Sequence, residues 1–266
     1  MATIQIIVLG IIQGLTEFLP ISSSGHLILV PQIIGFPDQG MIFDVAVHLG
    51  SLIAVTIYFR HDLFALFSAT FFSRTKKSNT DNSNLLFYIL LATIPAAAAG
   101  YLLSGWIEET LRNPLVIAIT LSFYGLLMWY ADGKGAQRIE MKDMRLSHII
   151  LIGISQSLAL VPGTSRSGVT MTTALLLGLK RVDAAKFSFL LSIPVITIAS
   201  VYKFLNIIIN DIHVDWSELF LGMLVAMIVA YLSIGFFMRI IRKVGLAPFA
   251  IYRVILSAII LYLFYF

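Results

Sequence analysis

The 266-residue chain contains no cysteine. That excludes a disulfide framework, a thiolate metal site and a cysteine nucleophile, and it leaves the redox compartment open. Charge is nearly as scarce: Asp, Glu, Lys and Arg make up 12% of the residues, against 59% hydrophobic. Soluble domains carry about 25% charged and about 45–50% apolar residues, so an ordinary soluble domain is excluded. Disorder is excluded too, because it needs low hydrophobicity and high net charge, and the net charge here is only +4. HExxH, CxxC, a glycine-rich nucleotide loop and any nucleic-acid-binding module are all absent. No Lys or Arg precedes the apolar residues 1–12, and Gln13 and Glu17 follow before any cleavage-like site. A cleavable signal peptide is therefore not expected. What remains is the composition of an all-α polytopic membrane protein, in which the small positive excess reports orientation and not nucleic-acid binding.

A helix needs about 20 apolar residues to cross a bilayer. Six stretches come close to that length or exceed it, at about 41–59, 85–105, 114–131, 187–205, 219–238 and 248–266. Four others are shorter or broken, at 3–20, 27–36, 147–162 and 169–179. Runs of about 10–14 apolar residues suit re-entrant segments better than spans. The short stretches form two pairs, each around a small polar core, Ser22-Ser23-Ser24-Gly25-His26 or Thr164-Ser165-Arg166-Ser167-Gly168. Non-helical polar turns are tolerated at membrane depth only where protein or a water-filled cavity surrounds them. Both pairs therefore read as hairpins that enter and leave on the same side.

The two cores resemble each other. Residues 10–27 laid without gaps over 153–170 share Gly, Ile, Gln, Leu, Ser, Ser and Gly. Each half then continues into three spans. A single membrane domain over 1–266 follows, with repeat 1 at about 1–135 and repeat 2 at about 146–266. Because three spans is an odd number, the second copy is expected upside down relative to the first, as in transporters built from inverted repeats. With the N-terminus outside, segments 60–84, 132–145, 180–186 and 239–243 face the cytoplasm and hold fourteen of the eighteen Lys and Arg. Only Arg112 and Lys203 fall outside, and Arg166 and Arg253 lie within the membrane. That bias is the one the positive-inside rule demands.

An ionisable residue inside the bilayer is a functional hypothesis by default. Glu17 follows Gln13 by four residues, which places both on one helix face. The pair offers acceptors for a hydroxyl proton or oxygen ligands for a hard cation; the plainer reading is a helix-end carboxylate bonded to backbone. Ser22, Ser23, Ser24 and His26 are either a nucleophile-and-base constellation with Glu17 or a turn whose hydroxyls cap helices. Arg166 opens a helix in a turn that also carries Thr164, Ser165 and Ser167. Its planar fork and the helix N-terminus suit a phosphate, and an ion pair with Glu17 is the compatible alternative. Asp44 and His48, four apart at the start of a span, are candidates as well, with a structural role the favoured reading and Asp44 facing outer water. Arg253 either pairs with a carboxylate or snorkels. The inventory of carboxylate, hydroxyl, imidazole and guanidinium fits an anionic, phosphorylated lipid substrate.

Two motifs carry a resemblance. Gln13-Gly14-Leu15-Thr16-Glu17-Phe18-Leu19-Pro20, running into Ser22-Ser23-Ser24-Gly25-His26, resembles the first signature of the undecaprenyl-diphosphate phosphatase family of the bacitracin-resistance type. Pro162-Gly163-Thr164-Ser165-Arg166-Ser167-Gly168 resembles the second, and the likeness extends to Phe187–Pro194 and Pro248–Arg253. The resemblance implies a multi-pass enzyme of the inner (plasma) membrane, with its site open to the outer face. It would hydrolyse undecaprenyl diphosphate to the monophosphate, recycling the lipid carrier for cell-wall synthesis. A divalent cation, magnesium or calcium, is implied at Glu17. The implied catalytic set is Glu17, Ser23, His26 and Arg166, with Ser23 as nucleophile and His26 as the competing nucleophile or the acid/base. Gln13, Ser22, Ser24, Thr164, Ser165 and Ser167 are the substrate-binding candidates. The family's first motif often has Glu where this chain has Gln13, which argues against a mechanism with two carboxylates there. A second phosphatase type, that of phosphatidic acid, shares the Ser-Gly-His turn but needs a histidine six positions after the arginine, where this chain has Thr172. The alternative function is a polyprenyl-phosphate transporter or flippase without chemistry. The expected partners are the lipid diphosphate and membrane lipids, with a homodimer as one option and no nucleic acid.

Overall fold

The computed structural model describes residues 1–71, 80–209 and 215–266. Among these, eleven α-helices are present: α1 (Thr3–Thr16), α2 (Ser23–Ile34), α3 (Gly40–Tyr58), α4 (Arg60–Phe71), α5 (Thr80–Thr110), α6 (Pro114–Lys134), α7 (Leu146–Ser157), α8 (Arg166–Leu176), α9 (Arg181–Ile209), α10 (Trp216–Val244) and α11 (Ala247–Tyr265). Two 3-10 turns, Met141–Asp143 and Leu158–Leu160, complete the described helical structure. The only strand-like pairing among the described residues is one isolated bridge between Ile139 and Leu179.

Five helices are long and apolar enough to cross a membrane: α5, α6, α9, α10 and α11. A sixth span is reached only when Ile42–Tyr58 is taken together with Arg60–Thr70, which bends away from it by 72°. The sequence reading treats residue 60 onward as a loop, whereas residues 60–71 form a second helix. Phe64 and Phe67 are exposed on it, and it packs on α5. The expected cytoplasmic cations Arg74, Lys76 and Lys77, and the outer-loop residues Asp211 and His213, lie outside the described residues.

The four short stretches become α1, α2, α7 and α8. At 1.5 Å rise per residue, the 14 residues of α1, the longest of them, reach about 21 Å, less than a hydrocarbon core of about 30 Å. α8 opens at Arg166, as the sequence suggests, but the start of α2 differs. α2 begins at Ser23 and not after His26, so Ser23, Ser24 and His26 occupy its first turn. The bend itself lies upstream, at residues 17–22.

Packing follows a reciprocal pattern. α1 and α3 pack on α10, while α7 and α9 pack on α5, and α6 packs on α11. Close backbone approach makes these contacts possible, which is how helices associate where lipid removes the hydrophobic drive. A Cβ placed on Gly10 of α1 would lie 3.0 Å from Val225 Cβ in α10, and one on Gly153 of α7 would lie 2.8 Å from the Ala92 carbonyl oxygen in α5. Those two glycines occupy equivalent places in the alignment of the two cores. On α3, a Cβ at Gly50 would sit 2.2 Å from the Met223 carbonyl oxygen. An apolar core runs through the interior, from Phe18 and Phe59 to Phe189 and Phe237.

Candidate active site

α1 ends at Glu17, and the chain turns back through Ser22 into α2. Ser22 takes φ 76° and ψ 93°, and its side chain accepts the Gly25 N–H at 3.3 Å. The second core repeats the device: Ser165 takes φ 70° and ψ 113°, and its side chain accepts the Gly168 N–H at 3.1 Å. A positive φ at a non-glycine residue is uncommon and concentrates at functional sites. In both places a serine tolerates it while its hydroxyl satisfies an orphan donor of the helix that follows. The next residue is Ser23 in one copy and Arg166 in the other. Two helix starts, with their positive dipole ends, thus converge on one place.

That place is a chamber of about 290 Å³ lined by Glu17, Ser23, Ser24, Asp44, His48, Ser165, Arg166, Ser200 and Lys203 with a few apolar side chains. Glu17 is its hub and is buried. Its Oε2 accepts from Ser23 Oγ at 2.7 Å and from Gln13 Nε2 at 3.1 Å, and faces His48 Nε2 at 3.5 Å. Its Oε1 pairs with Arg166 Nη2 at 3.1 Å. Arg166 also donates from Nη1 to the Ser188 carbonyl oxygen at 3.1 Å, which fixes the plane of the fork. The Gln13–Glu17 face and the Glu17–Arg166 pair read from the sequence are both present.

The other candidates separate. Ser24 and Ser165 line the chamber, and Gln13 reaches it through Glu17. Ser22, Thr164 and Ser167 are buried inside the turns. Ser167 Oγ donates to the Leu19 carbonyl oxygen at 3.2 Å and so ties one turn to the other. His26 is also buried but lines no part of the chamber. Its Nδ1 sits 2.7 Å from the Ser22 carbonyl oxygen and its Nε2 2.7 Å from the Tyr252 hydroxyl. A carbonyl only accepts, so Nδ1 carries the proton, and in the neutral ring Nε2 accepts from Tyr252. The imidazole and the phenol ring also stack, 8° from parallel.

The sequence offered His48 and Asp44 as candidates but favoured structural roles for them, whereas both line the chamber. His48 donates from Nδ1 to the Asp44 carbonyl oxygen at 2.6 Å, which leaves Nε2 directed at Glu17. Asp44 is not simply turned to outer water: it accepts from Gln39 at 2.8 Å and lies 4.0 Å from Arg112. Their signal was a polar stripe, Asp44, His48 and Ser51, at helical spacing on α3. Ser51 Oγ is 3.4 Å from Gln13 Nε2. Arg253 departs from both of its expected roles. It does not snorkel, has no carboxylate partner among the described residues, and is fully buried and bonded to carbonyl oxygens.

A second cavity, of about 380 Å³, adjoins the chamber and shares Ser24, Asp44, His48, Val195, Ala199 and Lys203 with it. The rest of its wall is mostly apolar, including Leu27, Ile28, Ala96, Gly100, Leu160 and Ile198. It reaches the gap between α5 and α9, where Tyr101 and Tyr202 meet edge to face at 6.3 Å. The paired cavities join a pocket lined by charged and hydroxyl side chains to a mostly apolar one.

Among the described residues no three His, Asp or Glu side chains are grouped to hold a metal by themselves. The chamber wall offers the oxygens of Glu17 and Ser23, with the His48 Nε2 nitrogen 3.5 Å from Glu17, and beside them the Gln13 Oε1 is buried without a partner. Oxygen donors of this kind suit a hard cation.

Comparison with known proteins agrees with the geometry. The model of the family described as bacitracin resistance protein BacA matches residues 6–259. The chain is similar to the undecaprenyl-diphosphatase 2 of Stutzerimonas stutzeri, at 51% identity over 99% of both chains. It is similar to the undecaprenyl-diphosphatase 1 of Pseudoalteromonas translucida, at 49% identity over 97% of both. It is similar to the undecaprenyl-diphosphatase of Alcanivorax borkumensis, at 49% identity over 97% of both.

Proposed function

The chain belongs to the bacitracin resistance protein BacA family, and from that premise and the chamber we propose that it hydrolyses undecaprenyl diphosphate to undecaprenyl phosphate and phosphate. The observation that carries the reading is the 2.7 Å hydrogen bond from the Ser23 hydroxyl to Glu17, with Arg166 held 3.1 Å from the other carboxylate oxygen. A hydroxyl within reach of a base, beside a fork suited to phosphate, is what phosphoryl transfer to serine needs.

The diphosphate enters the chamber and the first isoprene units take the adjoining apolar cavity. Arg166, its fork held by Ser188, gives up Glu17 for the non-bridging oxygens, where it stabilises charge that develops in the transition state. Glu17 removes the Ser23 proton as Oγ attacks the terminal phosphorus. The bond from that phosphorus to the bridging oxygen breaks, and undecaprenyl phosphate leaves with the electron pair and with the proton, which Glu17 hands to the leaving oxygen and so becomes a carboxylate again. Water, with Glu17 again as base, then attacks the phosphoserine, breaks its P–Oγ bond and releases inorganic phosphate while Ser23 recovers its proton. His26 is disfavoured as nucleophile because both of its ring nitrogens are engaged, by Ser22 and Tyr252.

A magnesium or calcium ion fits this donor set as a group shared with the substrate, since magnesium is usually held by one or two carboxylates plus phosphate oxygens. Glu17 and Ser23 would hold it, and it would supply neutralisation of phosphate charge.

The reading includes an inverted repeat with two re-entrant hairpins, α1–α2 and α7–α8, and a chamber open to the outer face of the inner membrane. Three observations support it: the four short helices, the matching backbone at Ser22 and Ser165, and the exchange of partners between α10 and α5. The deciding experiment is phosphate release from undecaprenyl diphosphate by purified protein in detergent. Hydrolysis needs no sealed bilayer and transport does, so a folded protein that releases no phosphate would refute the enzyme and favour the transporter.

A further inference from the structure

Arg253 on α11 is the largest fully buried side chain among the described residues, and none of their ion pairs includes it. A cation in such a place needs acceptors in place of a counter-charge. It finds them in backbone carbonyls. Nε donates to Leu121 at 3.2 Å, and Nη2 donates to Thr120 at 3.3 Å, both in α6. Nη1 donates to Pro20 at 3.3 Å, in the first turn. Nη2 also donates to Gly163 and Thr164, each at 2.9 Å, in the second.

Pro20 stands three residues before Ser23, and Gly163 stands three residues before Arg166. One guanidinium therefore grips the same place in both turns. The carbonyls of a non-helical turn inside a membrane protein lack helical partners and are costly to leave unpaired, so the cation and the turns satisfy each other. The surrounding backbone leaves space for the fork. A Cβ at Gly125 would lie 3.1 Å from Arg253 Cβ, and one at Gly168 would lie 2.9 Å from Arg253 Nη1.

We infer that Arg253 is a positioning residue for the phosphate-transfer site: by clamping the turn before Ser23 and the turn before Arg166, it sets the spacing of nucleophile and phosphate-binding fork. The inference rests on the reading given under Proposed function. Lysine cannot replace it, because three donors on one nitrogen lack the planar reach of the fork. A clamp acting on both turns makes activity and turn mobility respond together.

The test compares the full-length wild type, Arg253→Lys and Ser257→Ala in detergent, by steady-state phosphate release and by amide hydrogen exchange. Ser257 lies one turn further along α11 and donates to the Ala118 carbonyl oxygen at 2.7 Å, so it probes α11–α6 packing without touching either turn. Arg253→Lys should lower kcat about 100-fold, the cost of roughly an ångström of misplacement, with KM within about threefold. Amide exchange should accelerate in residues 17–25 and 161–169 together. Ser257→Ala should leave kcat and both turns unchanged. If Arg253→Lys keeps kcat within about threefold of wild type, or loosens neither turn, or only one, the clamp is refuted. If Arg253→Lys does not fold, Gly125→Ala decides, because its new methyl presses on the Arg253 Cβ. Lowered kcat with both turns loosened supports the clamp, and wild-type behaviour overturns it. A wild type that releases no phosphate sinks the functional reading alone, since the exchange of the two turns still reports on the clamp.

Discussion

Replacing Ser23 by alanine removes one oxygen from the chamber and asks whether phosphorus is attacked there. The structural cost is bounded. Ser23 donates one hydrogen bond to a carboxylate, a contact worth about 1.5–3 kcal/mol at most when the acceptor is charged. Glu17 keeps Gln13 and Arg166 as partners after the loss, so no buried charge is stranded and the variant should insert and remain monodisperse. The catalytic cost is larger. If Ser23 is the nucleophile, as proposed, the variant retains only binding and electrostatic stabilisation, and a fall in kcat of about 10³-fold or more is expected, about 4 kcal/mol of barrier. His26→Ala should behave differently. It forfeits the bond and stacking with Tyr252 but leaves the Ser23–Glu17 pair intact, so its turnover should lie at least about 10-fold above that of Ser23→Ala. The assay is steady-state phosphate release from undecaprenyl diphosphate, with trapping of phosphoenzyme at acidic and at alkaline pH. An acid-labile, base-stable phosphoenzyme that survives Ser23→Ala would show that a histidine attacks and that the hydroxyl of Ser23 serves only Glu17.

Arg166→Lys and Arg166→Ala should both lose at least about 100-fold in kcat/KM while remaining folded, because lysine keeps the charge and loses the two-pronged geometry; near-normal turnover by Arg166→Ala would reduce Arg166 to a structural partner of Glu17. The chain has no cysteine, so single introduced cysteines map topology directly. Asp143→Cys should be labelled only from the cytoplasm and Asp215→Cys only from outside, and the reverse pattern would overturn the inverted repeat. Gly50→Ala would drive a methyl to 2.2 Å from the Met223 carbonyl oxygen and should cost about 1–3 kcal/mol or more of stability; an unchanged melting temperature would deny the close α3–α10 contact. Glu140 is held at a pKa of about 2, below its ordinary 4.5, by hydrogen bonds from Lys180 at 2.5 Å and Lys142 at 2.9 Å. Its folded value is the lower one, so its stabilisation is complete above pH 4.5 and disappears as pH falls towards 2. The melting difference between wild type and Glu140→Gln should shrink over that window, and a constant difference would rule the pairing out.

How much of this was legible depended on the distance over which each contact is made. The spans were legible because a run of about 20 apolar residues has few other uses. The Gln13–Glu17 face was legible because it is an i,i+4 relation within one helix. The Glu17–Arg166 pair was legible because a charge inside the membrane requires a partner, and few candidates exist. α4 was not, because its 12 residues open on Arg60-His61-Asp62 and carry no period that distinguishes them from a loop. The neighbours of His48 and His26 were not, since they come from packing α3 against α1 and α11 against α2, and no rule of spacing reports that. Arg253 was least legible of all. Its acceptors are backbone carbonyls, which every residue possesses, so no side-chain pattern marks them.

The paired cores show why one site can hold such unlike groups. In the ungapped alignment of residues 10–27 with 153–170, Ser22 falls on Ser165, and both take the same uncommon backbone with the same cap to a glycine three residues on. The backbone device is thus present twice. Two of the positions that differ face the cavities. Ser23 falls on Arg166, so one helix start offers a hydroxyl and the other a guanidinium. Glu17 falls on Leu160, so one turn contributes a carboxylate to the polar chamber and the other a wall to the apolar cavity. A perfectly symmetric pair of turns would present two serines to two serines, or two arginines that repel each other across a buried pocket. Differences at these positions, on two turns whose backbones stay alike at Ser22 and Ser165, give an asymmetric site, which on the proposed reading has a phosphate end and a lipid end.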